Sequence, residues 1–374
     1  MPSNASICKR SIAAMVLAGT SLAGPALAVA LNPQAHASLG ALNLGAGQYS
    51  LLTDGAAPTL FDAGHQLLAT GWYVAQADAF NPQVAVFGFD SIQVALGATL
   101  TASGRNPLAL LSLGDITLAG TLDAAGRNGG QQGAGLGGRG GPGGGAGGSG
   151  GPSIGQTGEG PGGGIGGYGG LGNCSWGEGG AYGGAGGNWN PCRSPAAAYG
   201  DPALVLNGGS GGGASGVNLF GTGAGGGGGG GGVELGALGQ ITLRGGTLLD
   251  LTGGNFGDGL AVNAGGGSGG GLLLHAPVIS LLPDLNGPVR LDAGGYSGGR
   301  ISFLSASGAV LGNTGSVGVG ANFYGHEGVI SYGVLATAVP EPATALLTLV
   351  GGVWLLAWRR RGQAAAGASV GRWA

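Results

Sequence analysis

Few residues of this 374-residue sequence stand in patterns that could do chemistry. The serine-nucleophile pattern Gly-x-Ser-x-Gly occurs around Ser149, Ser210, Ser268 and Ser297. In hydrolases, this pattern places the serine on a sharp turn between a strand and a helix. All four copies stand in glycine-rich sequence without that context. We therefore interpret them as chance matches and predict no serine nucleophile.

Paired aspartates are the next candidates, because glycoside hydrolysis uses two carboxyl groups about 5 to 9.5 Å apart. Asp115 with Asp123, and Asp250 with Asp258, stand where a repeating fold would allow them to stack on one face. Aspartate beside glycine is more often a turn residue that hydrogen-bonds its own backbone. A β-helix polysaccharide lyase or hydrolase is therefore only the alternative hypothesis, and we predict no catalytic residue.

Histidines and aspartates also fail to form a metal-ligand pattern. The histidines at 36, 65, 275 and 326 are too far apart in the sequence to indicate a metal site. The segments around Asp258 and Asp292 do not match the nonapeptide repeat that binds calcium. We predict no metal and no cofactor.

Short apolar alternations, broken by glycine, predict the elements of the body. Ile116 and Leu118 alternate with polar residues, as do Ile241 and Leu243, which is typical of strands. Ile116 follows Ile92 by 24 residues, whereas the steps from Ile241 to Leu272 and on to Ile301 are 31 and 29 residues. Repeats of this length predict a parallel β-solenoid, in which each rung covers its neighbour. An antiparallel β-sandwich is the alternative.

The composition divides this body into segments. We predict an N-terminal cap over residues 29–83, first solenoid rungs over 84–125, a glycine-rich insert over 126–235 and further rungs over 236–338. The phrases that begin at Val84 and Leu108 resemble those of glycine-rich β-solenoid surface proteins of environmental bacteria. Shorter glycine-rich inserts, 253–271 and 294–299, recur between rungs and predict projections on one side.

The long insert holds 51 Gly among the 107 residues from 126 to 232, so it can bury little side-chain area. Two conformations are open for it. One is a mobile loop, and the other is polyglycine II, extended three-fold strands packed side by side through N–H to C=O bonds. Trp176 and Trp189 are candidates for stacking on sugar rings, although packing against the solenoid is the commoner role for such residues.

The N-terminal sequence predicts export. Lys9 and Arg10 precede an apolar stretch of about 12 residues, from Ser11 to Leu22, and a small-x-small cleavage site follows at Ala26-Leu27-Ala28. We predict a signal peptide over residues 1–28, handled by signal peptidase and the general secretion machinery. A second candidate site, Ala35-His36-Ala37, allows a later cut.

Export gives the cysteines a role. Removal of the signal peptide takes Cys8 away and leaves Cys174 and Cys192. An even count in an exported chain predicts a disulfide between them. Closing that loop stabilises a chain by roughly 3 kcal/mol on the loop-entropy model.

The C-terminus carries three features in order: Pro340-Glu341-Pro342, an uncharged stretch over 343–358, and Arg359-Arg360-Arg361. Sixteen helical residues span about 24 Å, and arginine side chains can extend to the interface of a thin bilayer. We predict a transmembrane helix with the arginines in the cytoplasm, followed by a cytoplasmic tail over 362–374.

This order over residues 339–361 resembles the PEP-CTERM sorting signal, the tag recognised by exosortases in Gram-negative bacteria that make exopolysaccharide. The resemblance implies cleavage near Pro340 by exosortase and release or transfer to the cell surface. It also implies transient anchoring in the inner membrane. The tail beyond Arg361 is longer than is usual for such signals.

Charge narrows the choice of partner. Residues 29–338 hold seven Arg, no Lys and fifteen acidic residues, a net charge of −8. Nucleic-acid binding needs clustered cations, so we predict no nucleic-acid partner. The sequence favours a surface or matrix structural protein or adhesin associated with exopolysaccharide, with a glycan-binding module as the alternative.

Overall fold

A computed structural model describes residues 30–77, 81–131, 135–151, 153–169, 173–187, 190, 192–216, 223–257, 264–312, 316–321 and 325–335. This part of the chain is all-β and contains no α-helix. Two short 3-10 helices lie at Pro33–Ala35 and Asn173–Ser175. The predicted signal peptide, transmembrane helix and sorting motif lie outside the described residues.

Within the described ranges, twenty-one strands form three sheets. In chain order they are β1 Ala41–Leu44, β2 Gly47–Leu52, β3 Thr59–Asp62, β4 Leu67–Thr70, β5 Trp72–Val74, β6 Val84–Phe89, β7 Ser91–Val94, β8 Ala98–Ser103, β9 Leu108–Ser112, β10 Ile116–Leu118, β11 Thr121–Asp123, β12 Gly232–Ala237, β13 Gln240–Arg244, β14 Leu248–Asp250, β15 Gly271–His275, β16 Val278–Leu282, β17 Arg290–Asp292, β18 Arg300–Ser305, β19 Leu311–Gly312, β20 Val317–Gly318 and β21 Val329–Val334. Sheet A runs β1-β7-β10-β13-β16-β19, sheet B runs β20-β17-β14-β11-β8-β2-β3-β4, and sheet C runs β21-β18-β15-β12-β9-β6-β5.

The chain visits the three sheets in turn, so that β7, β8 and β9 lie in sheets A, B and C, and β10, β11 and β12 repeat the order. Pairing within sheet A is parallel throughout the described strands. Antiparallel pairs occur at β2–β3, β3–β4 and β5–β6, near the N-terminus. Largely parallel sheets visited in rotation fit a β-helix-like body and not an antiparallel sandwich.

Stacked apolar side chains fill the space between the sheets. In sheet A, Ile92, Ile116, Ile241 and Ile279 stand directly above one another, and all are nearly or completely buried. Alternation along each strand turns every second residue inward, which is why the two-residue apolar period predicts these positions. Each buried aliphatic side chain contributes about 1.5–3 kcal/mol relative to exposure.

The register confirms two predicted alignments and corrects a third. Ile116 pairs with Ile92, as the 24-residue repeat predicts. Leu272 pairs with Ile301, also as predicted, but Ile241 pairs with Ile279 in sheet A, whereas Leu272 lies in sheet C. The prediction that Ile241 stands under Leu272 is wrong, because a glycine-rich segment inserted between sheets B and C lengthens this rung.

The glycine-rich segments all leave the body between a strand of sheet B and the next strand of sheet C. They connect β11 to β12, β14 to β15, β17 to β18 and β20 to β21. The predicted projection on one side is therefore confirmed. Strand β12 begins at Gly232, inside the range that the sequence assigns to the long insert.

Candidate functional site

The glycine-rich segments pack together as one hydrogen-bonded unit, which we call the glycine array. It comprises the described residues of 124–231, 251–270, 293–299 and 319–328. Its central segment, 223–231, donates backbone N–H groups to three neighbours in rotation. Gly225, Gly228 and Gly231 donate to segment 124–130, Gly226 and Gly229 donate to segment 145–148, and Gly227 and Gly230 donate to segment 265–268.

A second segment, 209–216, repeats the rotation. Gly209 and Gly212 donate to segment 227–230, Gly211 and Ala214 donate to segment 156–159, and Gly213 and Gly216 donate to segment 175–178. Donation to a new neighbour at each residue, with a return every third residue, requires a three-fold extended chain. The hydrogen bonds therefore favour the ordered alternative for the described part of the insert.

Glycine is required in this unit because neighbouring backbones occupy the places where Cβ atoms would lie. A Cβ at Gly228 would overlap the Arg139 carbonyl, and one at Gly226 would overlap the Gly212 carbonyl. At Gly143 and Gly160 the chain also turns back with φ of +72° and +98°, which L side chains rarely adopt. The low side-chain content of the insert thus allows dense backbone packing.

Three of the serines in Gly-x-Ser-x-Gly patterns form a buried column inside the array. Ser268 Oγ accepts the Ser210 N–H at 2.9 Å, and Ser297 Oγ donates to the Gly180 carbonyl at 2.6 Å. Ser210 Oγ lies 2.7 Å from the Tyr199 hydroxyl. Because Ser210, Ser268 and Ser297 are fully buried and bonded to neighbouring segments, their hydroxyls pin the array together.

A ladder of aspartates marks the entry to the array. Asp123, Asp250 and Asp292 are paired across adjacent strands at the ends of β11, β14 and β17. Each carboxylate accepts the N–H two residues ahead, at 2.9–3.1 Å. These residues turn the chain out of sheet B. The signal was present in the sequence as the thrice-repeated Leu-Asp-x-x-Gly at Leu122, Leu249 and Leu291, which the motif search missed.

The array has a distal end, where the segments turn back far from the sheets. Gly225 donates to Gly130 there, and Gly257 donates to Gly225. From that end to the start of β12, residues 223 to 231 extend about 25 Å at about 3.1 Å per residue. Large apolar side chains are exposed at the distal turns: Leu136 is 68% exposed, Ile154 53% and Tyr168 42%.

The predicted disulfide between Cys174 and Cys192 is confirmed, and it lies at the distal end with a Cα–Cα distance of 5.6 Å. Tyr168 donates its backbone N–H to the Cys174 carbonyl, which places the bond beside the exposed tyrosine. The side-chain amide of Asn190 donates to the carbonyls of Cys174 and Trp176, at 3.1 and 3.0 Å. These bonds hold two segments together beside the cysteines.

The aromatic residues proposed for sugar stacking have different outcomes. Trp176 is half-buried at the distal end, and Trp189 lies outside the described residues. Tyr168, which was not singled out for this role, is the more exposed ring, and the guanidinium carbon of Arg193 lies 4.4 Å from its centroid. Cation–π geometry of this kind orients the ring.

Buried acids lie deeper in the array. Glu178 is completely buried, and neither carboxylate oxygen has a hydrogen-bond partner among the described residues. Burial raises the pKa of Glu178, and the Ile165 backbone and the Arg193 charge offset this only in part. Burial likewise raises the pKa of Tyr199 to about 12, against a smaller opposing effect of its bond to Ser210.

A second polar cluster lies on the outer face of sheet C. The Nε2 atom of His275 is 2.8 Å from Oε1 of Glu234, and both side chains are about 3% exposed. Trp72 donates its indole N–H to Nδ1 of His36 at 3.2 Å. Burial lowers the pKa of His36, which the charge of Glu234 offsets only in part. Sequence reasoning missed the Glu234–His275 pair, because the two residues are 41 positions apart and the fold brings them together on adjacent strands.

The acid pairs considered for catalysis are not brought together. Asp115 lies beside β10 of sheet A and accepts the Gln240 N–H at 2.8 Å, whereas Asp123 ends β11 of sheet B. Asp258 lies outside the described residues. Within the described ranges no three His, Cys, Asp or Glu residues are grouped as metal ligands.

The site and fold thus define an all-β protein with largely parallel sheets and a laterally attached glycine array. No family model, curated protein or solved structure matches the chain. No helix in the described part of the chain is long and apolar enough to cross a bilayer. The residues predicted to form a sorting signal, 340–342 and 359–361, lie beyond that part.

Proposed function

We propose that this protein is an exported, exosortase-processed structural protein or adhesin of the cell surface, associated with exopolysaccharide. In this proposal the body is a parallel β-solenoid and the array is polyglycine II. The array holds the distal end away from the solenoid. The tag is the tail whose Pro340-Glu341-Pro342, uncharged stretch and arginine cluster resemble a PEP-CTERM signal.

In this proposal the array presents its distal end to the surroundings. The observation that supports this role is the rotation of backbone hydrogen bonds through segment 223–231. Backbone bonds to three neighbours at successive residues leave little freedom to bend, so the array acts as a stiff support. Its distal turns expose Leu136, Ile154 and Tyr168 and carry a disulfide. A stiff support with adhesive side chains at its end suits contact with a matrix.

Residues 29–338 contain few cationic side chains and have a net charge of −8. Neutral sugars therefore fit this protein better than polyanions as the contacted material. An exposed tyrosine, together with Trp176 and Trp189, offers flat rings of the kind that stack on sugars. In transit, the helix at 343–358 anchors the chain in the inner membrane, and exosortase then cuts near Pro340. The mature protein is thereafter at the surface or outside the cell.

The test is expression of the full chain in an exopolysaccharide-producing host with and without its exosortase. We expect intact mass to show loss of the tail near Pro340 only when exosortase is present. We expect the shortened protein to co-purify with the exopolysaccharide and the uncut protein to stay with membranes. An intact Arg359–Ala374 tail in both strains would contradict the sorting proposal, and cut protein found free of polysaccharide would contradict the matrix role.

A further inference from the structure

The segment before β1, residues 30–39, lies across the outer face of sheet C, and we call it the N-terminal strap. Leu31 packs against a small apolar cluster on that face, formed by Val84, Val86, Ala109, Leu111 and Leu206. At the other end of the strap, Leu39 donates its N–H to the Gly88 carbonyl at 2.8 Å. The strap therefore covers an apolar cluster on the outer face of sheet C, which is separate from the core between the sheets.

Glu234 fixes the beginning of the strap. Its Oε1 atom accepts the backbone N–H of Leu31 at 2.7 Å and faces Nε2 of His275 at 2.8 Å. Glu234 is only 2% exposed, in a strand whose six residues are all buried. A buried carboxylate that loses a hydrogen-bond donor carries a large desolvation cost. The Leu31 N–H is therefore part of what makes Glu234 tolerable at this position.

The middle of the strap is held by a third contact. His36 accepts the Trp72 indole N–H at 3.2 Å, and the two rings lie 5.7 Å apart. Gly88 permits close approach, since a Cβ at that residue would stand 2.7 Å from the Ala37 carbonyl. Leu31, His36 and Leu39 each bind to the body, so the strap is packed against the body along its whole length.

These contacts distinguish the two export cleavage sites in the sequence. A cut after Ala37 removes Leu31 and His36, uncovers the apolar cluster and takes a donor from Glu234. A cut after Ala28 leaves the whole strap in place. We propose that signal peptidase hydrolyses the Ala28–Val29 bond, and that Glu234 with the outer face of sheet C is the docking site for the new N-terminal segment.

In the proposed step, water adds across the peptide bond. The released peptide ends in the Ala28 carboxyl group, and the mature chain begins with the Val29 amino group. This inference rests on the proposed function, because it presupposes export.

The first test is the N-terminal mass of the full chain recovered from the exporting host. We expect the mature chain to begin at Val29. A chain that begins at Ser38 overturns the inference while leaving export intact. A chain that still begins at Met1 contradicts a cleaved signal peptide, and with it the proposed cleavage.

A second measurement tests the docking site whatever the cleavage result. Leu31→Pro removes the N–H that Glu234 accepts, and Gln34→Ala changes an exposed residue of the same strap. In the full chain we expect Leu31→Pro to speed amide hydrogen exchange in the peptide covering 30–39 by about tenfold and Gln34→Ala to leave it unchanged. Exchange in that peptide that is unprotected in the wild type, or equal in the Leu31→Pro variant, overturns the docking site.

Discussion

The β-helix-like body and the glycine array bury their backbones in opposite ways. In the body, side chains such as Ile116 and Ile241 stack into ladders that exclude water from between three sheets. In the array, segments such as 223–231, which is glycine apart from Ala224, exclude water because neighbouring backbones touch. The comparison teaches that a chain with little apolar side-chain area can still form a dense interior if its backbone hydrogen bonds are satisfied by close neighbours.

The two regions should consequently fail in opposite directions. The body is sensitive to the removal of atoms, because a cavity is left behind. The array is sensitive to the addition of atoms, because no space is available. Three variants and one control measure this contrast.

The largest effect is expected for Gly228→Val in the centre of the array. A Cβ there overlaps the Arg139 carbonyl, and the nearby backbone bond from Gly254 N–H to the Gly228 carbonyl must break or move. Overpacking typically costs 1–3 kcal/mol, and we expect more than about 4 kcal/mol here because the obstacle is backbone. Urea unfolding gives the free energy, and hydrogen exchange shows which region opens.

Gly45→Val is the matched control for that substitution. No atom lies within 4 Å of a Cβ placed at Gly45, and its φ is outside the left-handed region. We expect a change within about 0.5 kcal/mol. Equal losses at Gly45 and Gly228 would refute the view that close backbone contact is what makes the array sensitive.

The next effect is expected for Leu249→Ala in the body. Leu249 is completely buried and stacks between Leu122 and Leu291 in sheet B. Leu→Ala changes in cores cost 2–5 kcal/mol, and we expect about 3 kcal/mol from calorimetry or urea unfolding. Exchange should rise throughout the body. A variant that loosens the array alone would contradict a side-chain core as the source of body stability.

Apart from the Gly45 control, the smallest effect is expected for the double change Cys174→Ser and Cys192→Ser. Loss of this disulfide should cost about 2 kcal/mol, near the lower end for native disulfides, because the backbone hydrogen bonds of the glycine array also restrain the segments. Exchange should rise in peptides at the distal end and stay constant in β6 to β10. If the whole array opens, the disulfide and not the backbone hydrogen bonds holds the array together. The contrast between the two regions is then weaker.

Sequence reasoning predicted the body better than the array. The alternation at Ile116 and Leu118 and the step from Ile92 identify strands and their register, because side chains that face a core must repeat. The step from Ile241 to Leu272 misled, since a glycine segment of variable length interrupts the repeat. Apolar periodicity shows which side chains face a core, and glycine has no side chain that could show this.

The candidate site was predictable where composition alone carries the information. The bond between Cys174 and Cys192 follows from the even count of cysteines that remains once the predicted signal peptide takes Cys8 away. The contacts of Glu234 with His275 and Leu31 are not predictable in this way, because their sequence separations of 41 and 203 are set by the winding of the solenoid. The sequence predicts no nucleophilic role for the buried serines, and their role in joining segments follows only from the packing of the array.

The Leu-Asp-x-x-Gly entry also makes the architecture modular. Each glycine segment leaves from the end of a sheet B strand and returns to the start of a sheet C strand, whether it spans residues 124–231, 251–270 or 293–299. Its length is thus uncoupled from the register of the rungs. A change in the length of a glycine segment can therefore alter how far the array extends, while the sheets that carry the array keep their register.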